Sequence, residues 1–167
     1  RQDAIQTLGH LLQKNRDVYI PLLYEAYEKK DKDFLKENLP THWDLRHYYL
    51  KMYQRLENVI SELLLKGVFT SYADIKRVKD SGWNTARGSF IARCCFDLGL
   101  ISKQELQKYL EKFYLLLKTD CITWQEYVSS YIFGRALWVD SQNMEVISIG
   151  KDLLHKPKSP LYHKKYL

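Results

Sequence analysis

Apolar residues recur every three or four positions along most of this chain, which is the spacing of one face of an α-helix. The longest such pattern follows Pro40 and ends before Gly67, and shorter ones start at Asp3 and near Asp17. No run alternates polar and apolar residues in the way that a half-buried β-strand does. The sequence therefore predicts an all-α fold, a compact bundle of about seven helices in a single domain.

Capping signals mark where several of these helices are expected to begin. Ser102 with Glu105, and Thr123 with Glu126, have the spacing of a capping box, in which each residue's side chain accepts a hydrogen bond from the other's backbone N–H. A lone side-chain cap is expected at three further helix starts: Asp17, Thr41 and Ser141.

The composition is that of a folded protein, with 46% hydrophobic and 28% charged residues. Three cysteines form an odd set without metal-ligand or redox spacing, which favours a reducing compartment and predicts a cytoplasmic protein. No apolar run approaches the roughly 18 residues of a membrane-spanning helix, so we expect no membrane association. The chain starts at Arg1 without a Met, and we expect an N-terminal portion to be missing.

The positive charge is concentrated at the C-terminal end. Of the net charge of +6, four units come from lysines in residues 155–167, a stretch without any acidic residue. We therefore predict a helical domain over residues 1–154, followed by a basic tail over residues 155–167. Because the remainder is close to neutral, nucleic acid is an expected partner only through this tail.

Two arginines share the spacing of apolar residues on their helices. Arg135 continues a pattern that starts at Trp124, and Arg87 is in line with Phe90 and Leu98. Both arginines are therefore expected to face the core. A guanidinium buried without a partner costs several kcal/mol, so each needs a carboxylate, carbonyl oxygens or an anionic ligand.

This requirement leaves two interpretations open. In the first, each arginine forms a structural ion pair with one of three candidate carboxylates: Asp44, Asp97 and Asp140. In the second, the two guanidinium groups hold a phosphate, a carboxylate or an acidic partner side chain, with a tryptophan stacking nearby. The candidate ligand-binding residues are Trp83, Arg87, Asp97, Arg135 and Trp138.

No set of residues has the spacing of a catalytic or metal site. His42 and His47 are five apart and so do not share a helix face as a metal-binding pair does. The sequence places no Ser or Cys nucleophile beside Asp44 and His47. It also contains no glycine-rich phosphate loop. We therefore predict no catalytic residue, no metal and no cofactor.

Several motifs resemble those of a known family. Residues 81–102 contain Trp-Asn-x-x-Arg, an apolar run with Ala-Arg and a closing Gly-Leu-Ile. Residues 130–138 read Ser-Tyr-Ile-Phe-Gly-Arg-Ala-Leu-Trp, and residues 1–12 open with Arg-x-x-Ala-x-x-x-Leu. These motifs resemble a bacterial family known as domain of unknown function 1266. The resemblance implies membership of that family and no particular activity, because the family is named for lacking one.

Two functions are expected from these observations. The first is a non-enzymatic protein-interaction domain, of accessory or immunity-like type, whose partner is another protein. The second is a binding site or enzyme for a small phosphorylated or carboxylated ligand, centred on Arg87 and Arg135.

Overall fold

The computed structural model describes residues 1–13, 19–139 and 143–167. The all-α expectation is confirmed, because the described residues form helices and no strand beyond one isolated bridge. The described helices number nine, against about seven predicted. Their bounds are α1 Gln2–Leu11, α2 Ile20–Lys29, α3 Lys32–Asn38, α4 Trp43–Leu65, α5 Tyr72–Val78, α6 Ser81–Asp97, α7 Lys103–Lys118, α8 Trp124–Trp138 and α9 Met144–His155.

The separation of α2 from α3 was missed by the sequence pattern, which carries one helix through Lys32. Lys30 adopts a left-handed conformation with φ of 53° and ends α2. Asp31 then begins α3, because its carboxylate accepts hydrogen bonds from the N–H groups of Asp33 and Phe34, both at 2.9 Å. A local cap therefore divides a stretch whose charged composition suits a continuous helix.

Both predicted capping boxes are confirmed. The Ser102 hydroxyl accepts from the N–H of Glu105 at 3.2 Å, and the Thr123 hydroxyl accepts from the N–H of Glu126 at 3.1 Å. The glutamate carboxylates accept in return from the N–H groups of Ser102 and Thr123 at 2.7 and 3.0 Å. The starts of α7 and α8 are thus satisfied by their own side chains.

The expected cap at Thr41 is wrong. The long helix α4 begins at Trp43, and the preceding His42 makes no side-chain capping bond. The caps expected at Asp17 and Ser141 lie outside the described residues.

The chain divides into two compact units, residues 1–14 with 77–167 and residues 15–76. The first unit contains α1 and α6 to α9, with α6 packed on α1, α7 and α8, and α9 packed on α8. One cluster of buried side chains joins α1, α6 and α7: Leu8, Leu11, Ala92, Cys95, Ile101 and Phe113. The second unit packs α2, α3 and α4 around a core of its own that includes Leu23, Leu35, Leu56, Ile60 and Leu63.

Helix α6 buries its smallest residues, and this corrects the expected orientation of Arg87. Phe90 and Leu98, predicted to face inward, are 60% and 74% exposed. The buried face consists of Gly82, Thr85, Gly88, Ala92 and Cys95. Small residues occupy this face because the side chains of neighbouring helices approach it closely. A Cβ on Gly88, for example, would lie 2.3 Å from the ring of Phe113. Arg87 consequently lies half-buried at the edge of the core.

The basic C-terminal segment belongs to the first unit. Tyr166 forms an antiparallel bridge with Thr123, and the N–H of Leu167 donates to the carbonyl oxygen of Ile122 at 3.0 Å. Residues 155–167 therefore end against the start of α8. A contact between this segment and nucleic acid stays a prediction.

Replacement of Glu105 should lower the stability of the protein at neutral pH, and much less at strongly acidic pH. The N–H of Ser102, followed by the side chain of Arg1 at 2.8 Å, lowers the pKa of Glu105 from 4.5 to about 2. Folding therefore favours the ionised carboxylate, and this stabilisation is present above the unfolded pKa and lost as the pH falls through 4.5 towards 2. We expect Glu105→Gln to lower the melting temperature at pH 7 and to have a much smaller effect at pH 2, where the Glu105 carboxyl is partly protonated even in the folded protein.

A control separates this effect from a general loss of acidic charge. Glu111→Gln, on the exposed side of α7, should show the wild-type dependence of melting temperature on pH. A Glu105→Gln difference that is equally large at pH 2 and pH 7 would show that the capping carboxylate does not act through its charge.

Candidate functional site

Two glycines let α6 and α8 pack backbone to backbone. A Cβ on Gly82 would lie 2.6 Å from the carbonyl oxygen of Tyr127 and 2.7 Å from the nitrogen of Tyr131. A Cβ on Gly134 would lie 2.4 Å from the Cβ of Trp83. The two helices run antiparallel, because Ser130 of α8 bonds to Gly82 whereas Trp138, eight residues later in α8, bonds to the earlier Asp80.

Helix α8 is buried on most of its circumference, so its large amphipathic side chains are confined to one half-buried stripe. The sequence predicted that this stripe faces the core, but that position is held by apolar residues such as Ile132, Phe133 and Leu137. Tyr and Trp suit a half-buried position because each has an apolar body and a polar tip. The stripe consists of Trp124, Tyr127, Tyr131, Arg135 and Trp138.

An aromatic pair joins the two helices next to the arginines. The rings of Trp83 and Tyr131 meet edge to face, with centroids 5.4 Å apart. Arg87 follows Trp83 by one helical turn, and Arg135 follows Tyr131 by one turn, about 6 Å along each axis. Since the helices are antiparallel, the two arginines lie on opposite sides of the ring pair. We refer to Trp83, Arg87, Tyr131 and Arg135 as the α6–α8 seam.

Three N–H donors of this seam are buried without an acceptor. They are Nε1 of Trp83, Nε of Arg87 and one terminal nitrogen of Arg135, and none has a hydrogen-bond partner among the described residues. A buried donor left unsatisfied costs about 1–3 kcal/mol, and more when the group is charged. The seam therefore concentrates unsatisfied donors of the kind that oxyanions accept.

Trp138 is engaged differently from Trp83. Its indole N–H donates to the carboxylate of Asp80 at 2.6 Å, and the side-chain amide of Asn84 donates to the same oxygen at 2.8 Å. Asp80 thus joins the start of α6 to the end of α8 and forms no ion pair with Arg135. No sequence signal pointed to Asp80, because its partner Trp138 is 58 residues away and their contact depends on how the helices pack.

The carboxylates expected to pair with the arginines do not do so among the described residues of this unit. Asp97 is exposed and lies ten residues beyond Arg87, about 15 Å along the helix axis. It therefore stands apart from the seam, and no ion pair to Arg93 is formed either. Asp44 belongs to the second unit, and Asp140 lies outside the described residues.

A third arginine approaches the same side of α8. Burial raises the pKa of Tyr127, the neighbouring Tyr131 acts in the same direction, and the positive charge of Arg93 opposes them. The ring of Tyr127 also meets Trp124 edge to face, with centroids 5.7 Å apart. Arg93 was not among the predicted site residues, and its spacing from Arg87 gives no sign of this proximity.

Neither a metal cluster nor a membrane span is found in the parts of the chain that the structure describes. No three or more His, Cys, Asp or Glu side chains lie close enough to hold a metal ion there. No helix within those ranges combines the length and the apolar character that crossing a bilayer requires.

Fold and site together define an all-α protein with an arginine and aromatic seam between two antiparallel helices. The family model described as protein of unknown function DUF1266 matches residues 1–166, so the chain belongs to this family. This confirms the family suggested by the sequence motifs. No curated protein and no solved structure matches the chain.

Proposed function

We propose that this chain is a non-enzymatic binding domain whose α6–α8 seam takes a phosphate or carboxylate group of a small ligand. The observation that carries this proposal is the group of three buried N–H donors without an acceptor among the described residues. Phosphate and carboxylate oxygens match the planar donor fork of arginine, and the Trp83 N–H adds a further unpartnered donor. The ring pair supplies an apolar wall beside them.

The chemistry of the seam supports binding over catalysis. Its side chains are donors and aromatic rings, without the carboxylate, imidazole or thiol that general-base or nucleophilic catalysis uses. The carboxylate of Asp80 already accepts two hydrogen bonds. Burial raises the pKa of Tyr127, so its phenol stays protonated at neutral pH and offers no phenolate to act as a base.

A thermal-shift titration tests the proposal. Inorganic phosphate, pyrophosphate and citrate serve as probes, and a ligand of the folded state must raise its melting temperature. At 100 times its dissociation constant such a probe stabilises by about 2.7 kcal/mol, which corresponds to several degrees. We expect a rise for wild type that is lost in Arg87→Gln and in Arg135→Gln.

Lys112→Gln is the matched control for this experiment. Lys112 is an exposed cation of the same unit, and its replacement lowers the net charge by the same amount. Stabilisation by the probes should persist in this variant. Equal loss in all three variants would mean that the probes act on overall charge, and no stabilisation of wild type by any probe would refute the seam as a small-anion site.

A second candidate is the protein-interaction domain, of accessory or immunity-like type, in which an acidic side chain of a bacterial partner enters the seam. The exposed aromatic ring of Phe90 favours it, because this ring lies on α6 one turn after Arg87. Large apolar side chains next to an arginine are typical of interface hot spots. The three cysteines are free, which supports a cytoplasmic setting for either function.

Recovery of a partner from native cells tests this second candidate. The chain is used as bait beside Phe90→Asp and Lys112→Gln. A partner that is retained by wild type and Lys112→Gln but lost with Phe90→Asp supports the interaction surface. Failure to recover any protein that depends on Phe90 would count against it, and it would leave the small-anion result unaffected.

A further inference from the structure

The second unit contains a cavity of about 560 Å³ that is distinct from the seam. Its walls come from three helices: Tyr27, Glu28 and Lys30 at the end of α2, Glu57 from α4, and Tyr72 from α5. All these residues belong to residues 15–76. The cavity therefore needs nothing from the first unit for its lining.

Two tyrosine rings form one wall of the cavity. The rings of Tyr27 and Tyr72 are 4.8 Å apart between centroids and inclined at 42°. The hydroxyl of Tyr72 is buried and has no hydrogen-bond partner among the described residues. Glu28 lies near enough to raise the pKa of Tyr72 by its charge and as a weak hydrogen-bond acceptor, but the contact falls outside ordinary hydrogen-bond geometry. The wall thus offers ring faces and an unsatisfied phenol.

The surroundings of these rings are negative. Burial raises the pKa of Tyr72, and the charge of Glu28 raises it further. Deeper in the unit, burial followed by the carboxylate of Glu57 raises the pKa of Tyr53 to about 12. Burial disfavours a charge of either sign, but the negative charges of Glu28 and Glu57, which oppose a phenolate, favour a positive charge at the same place.

The two carboxylates are not equivalent. Glu28 pairs with Lys76 at 2.6 Å, whereas the Glu57 carboxylate has no ion pair among the described residues. Lys30 is the only cationic residue among those named as lining the cavity. Glu57 acts as a hydrogen-bond acceptor towards the Tyr53 hydroxyl, but its charge is not neutralised by an ion pair, so it is the anion available to a ligand. Lys30 opposes a cationic ligand.

We propose that this cavity binds a small organic cation, an alkylammonium group held by the faces of Tyr27 and Tyr72 and by the carboxylate of Glu57. Aromatic faces attract ammonium groups by about 0.5–2 kcal/mol, and the apolar part of the ligand packs on the same rings. An ammonium N–H also donates a hydrogen bond to the Tyr72 oxygen, which has no hydrogen-bond partner among the described residues. The proposal is independent of the anion site.

Titration with butylammonium chloride, followed by NMR of the tyrosine ring signals, tests this site. Two control titrations accompany it. Potassium chloride tests for an effect of ionic strength alone, and sodium butyrate tests for an effect of the alkyl chain without the ammonium group. We expect saturable shifts with butylammonium alone, with a dissociation constant on the order of 1 mM for so small a ligand. Shifts that are equal with all three salts, or that do not saturate, would overturn the proposal.

Charge variants then test the geometry. Glu57→Gln should weaken binding by about three- to fivefold, as expected for a half-exposed ion pair, whereas Lys30→Gln should strengthen it. Glu37→Gln, on the exposed side of α3, should leave the affinity unchanged. Equal affinities for wild type and Glu57→Gln would contradict the site.

The hydroxyl of Tyr72 can be tested without removing its ring. Tyr72→Phe keeps the ring, so the butylammonium shifts should remain but with a weaker affinity, because the ammonium loses the hydroxyl oxygen as an acceptor. It should not lower the melting temperature, because a buried hydroxyl without a partner contributes no stability. Tyr72→Leu removes the aromatic face and should abolish the shifts. If Tyr72→Leu binds as wild type does, the rings take no part in recognition.

Discussion

Gly82→Ala should destabilise the protein, although alanine is the better helix former. The added methyl would meet the backbone of α8, 2.6 Å from the Tyr127 carbonyl oxygen and 2.7 Å from the Tyr131 nitrogen. Backbone atoms in a packed helix cannot move aside as a flexible side chain can, so α6 and α8 must separate. Overpacking costs about 1–3 kcal/mol or more, and the gain in helix propensity offsets up to about 1 kcal/mol. We expect a net loss of about 2 kcal/mol in the free energy of unfolding.

Gly9→Ala is the matched control. Gly9 lies in α1, and a Cβ there would meet no atom within 4 Å. This variant should gain about 0.5–1 kcal/mol, so the same substitution has opposite signs at the two positions. Chemical denaturation followed by circular dichroism measures both. If Gly82→Ala is as stable as wild type, the close approach of α6 and α8 is not present in solution.

Ser130→Ala should cost about 2–4 kcal/mol. Ser130 is fully buried, and its hydroxyl accepts from the Gly82 N–H at 2.8 Å and donates to the Lys79 carbonyl oxygen at 2.8 Å. Its removal leaves a buried donor unsatisfied, at about 1–3 kcal/mol, together with an acceptor that is only partly buried. The start of α6 would lose one of its two polar attachments to α8 described above, the other being the bond between Asp80 and Trp138.

Ser148→Ala controls for the loss of a hydroxyl as such. Ser148 is exposed on α9, and its replacement should change stability by less than about 0.5 kcal/mol. The same denaturation measurement applies. A Ser130→Ala protein within 0.5 kcal/mol of wild type would show that water or a shifted backbone satisfies both groups.

Local signals predicted the helices well and their orientation less well. The capping boxes at Ser102 and Thr123 were confirmed because a cap depends on residues three apart in sequence. The face of α6 was misassigned, because apolar size suggested Phe90 while the interior selects residues small enough for close packing. Periodicity identifies a helix, but the neighbouring helices decide which side is buried.

The site could be predicted only in part. Helical spacing identified Arg87 and Arg135, which follow Trp83 and Tyr131 by one turn on their helices, and the structure shows that these two rings meet. Asp80 could not be found, because its bond to Trp138 depends on the antiparallel register of α6 and α8. The cavity in the second unit was missed for the same reason, since its lining comes from three helices.

The four tryptophan indole N–H signals give the most direct test of the anion seam. In a proton–nitrogen correlation spectrum titrated with pyrophosphate, we expect the Trp83 signal to move in a saturable way, because its N–H has no partner among the described residues. The Trp138 signal should move little, because that N–H is bound to Asp80. In Arg87→Gln and Arg135→Gln the Trp83 shift should disappear. A Trp83 signal that stays fixed at saturating pyrophosphate, or that moves equally in these variants, would contradict the proposed function.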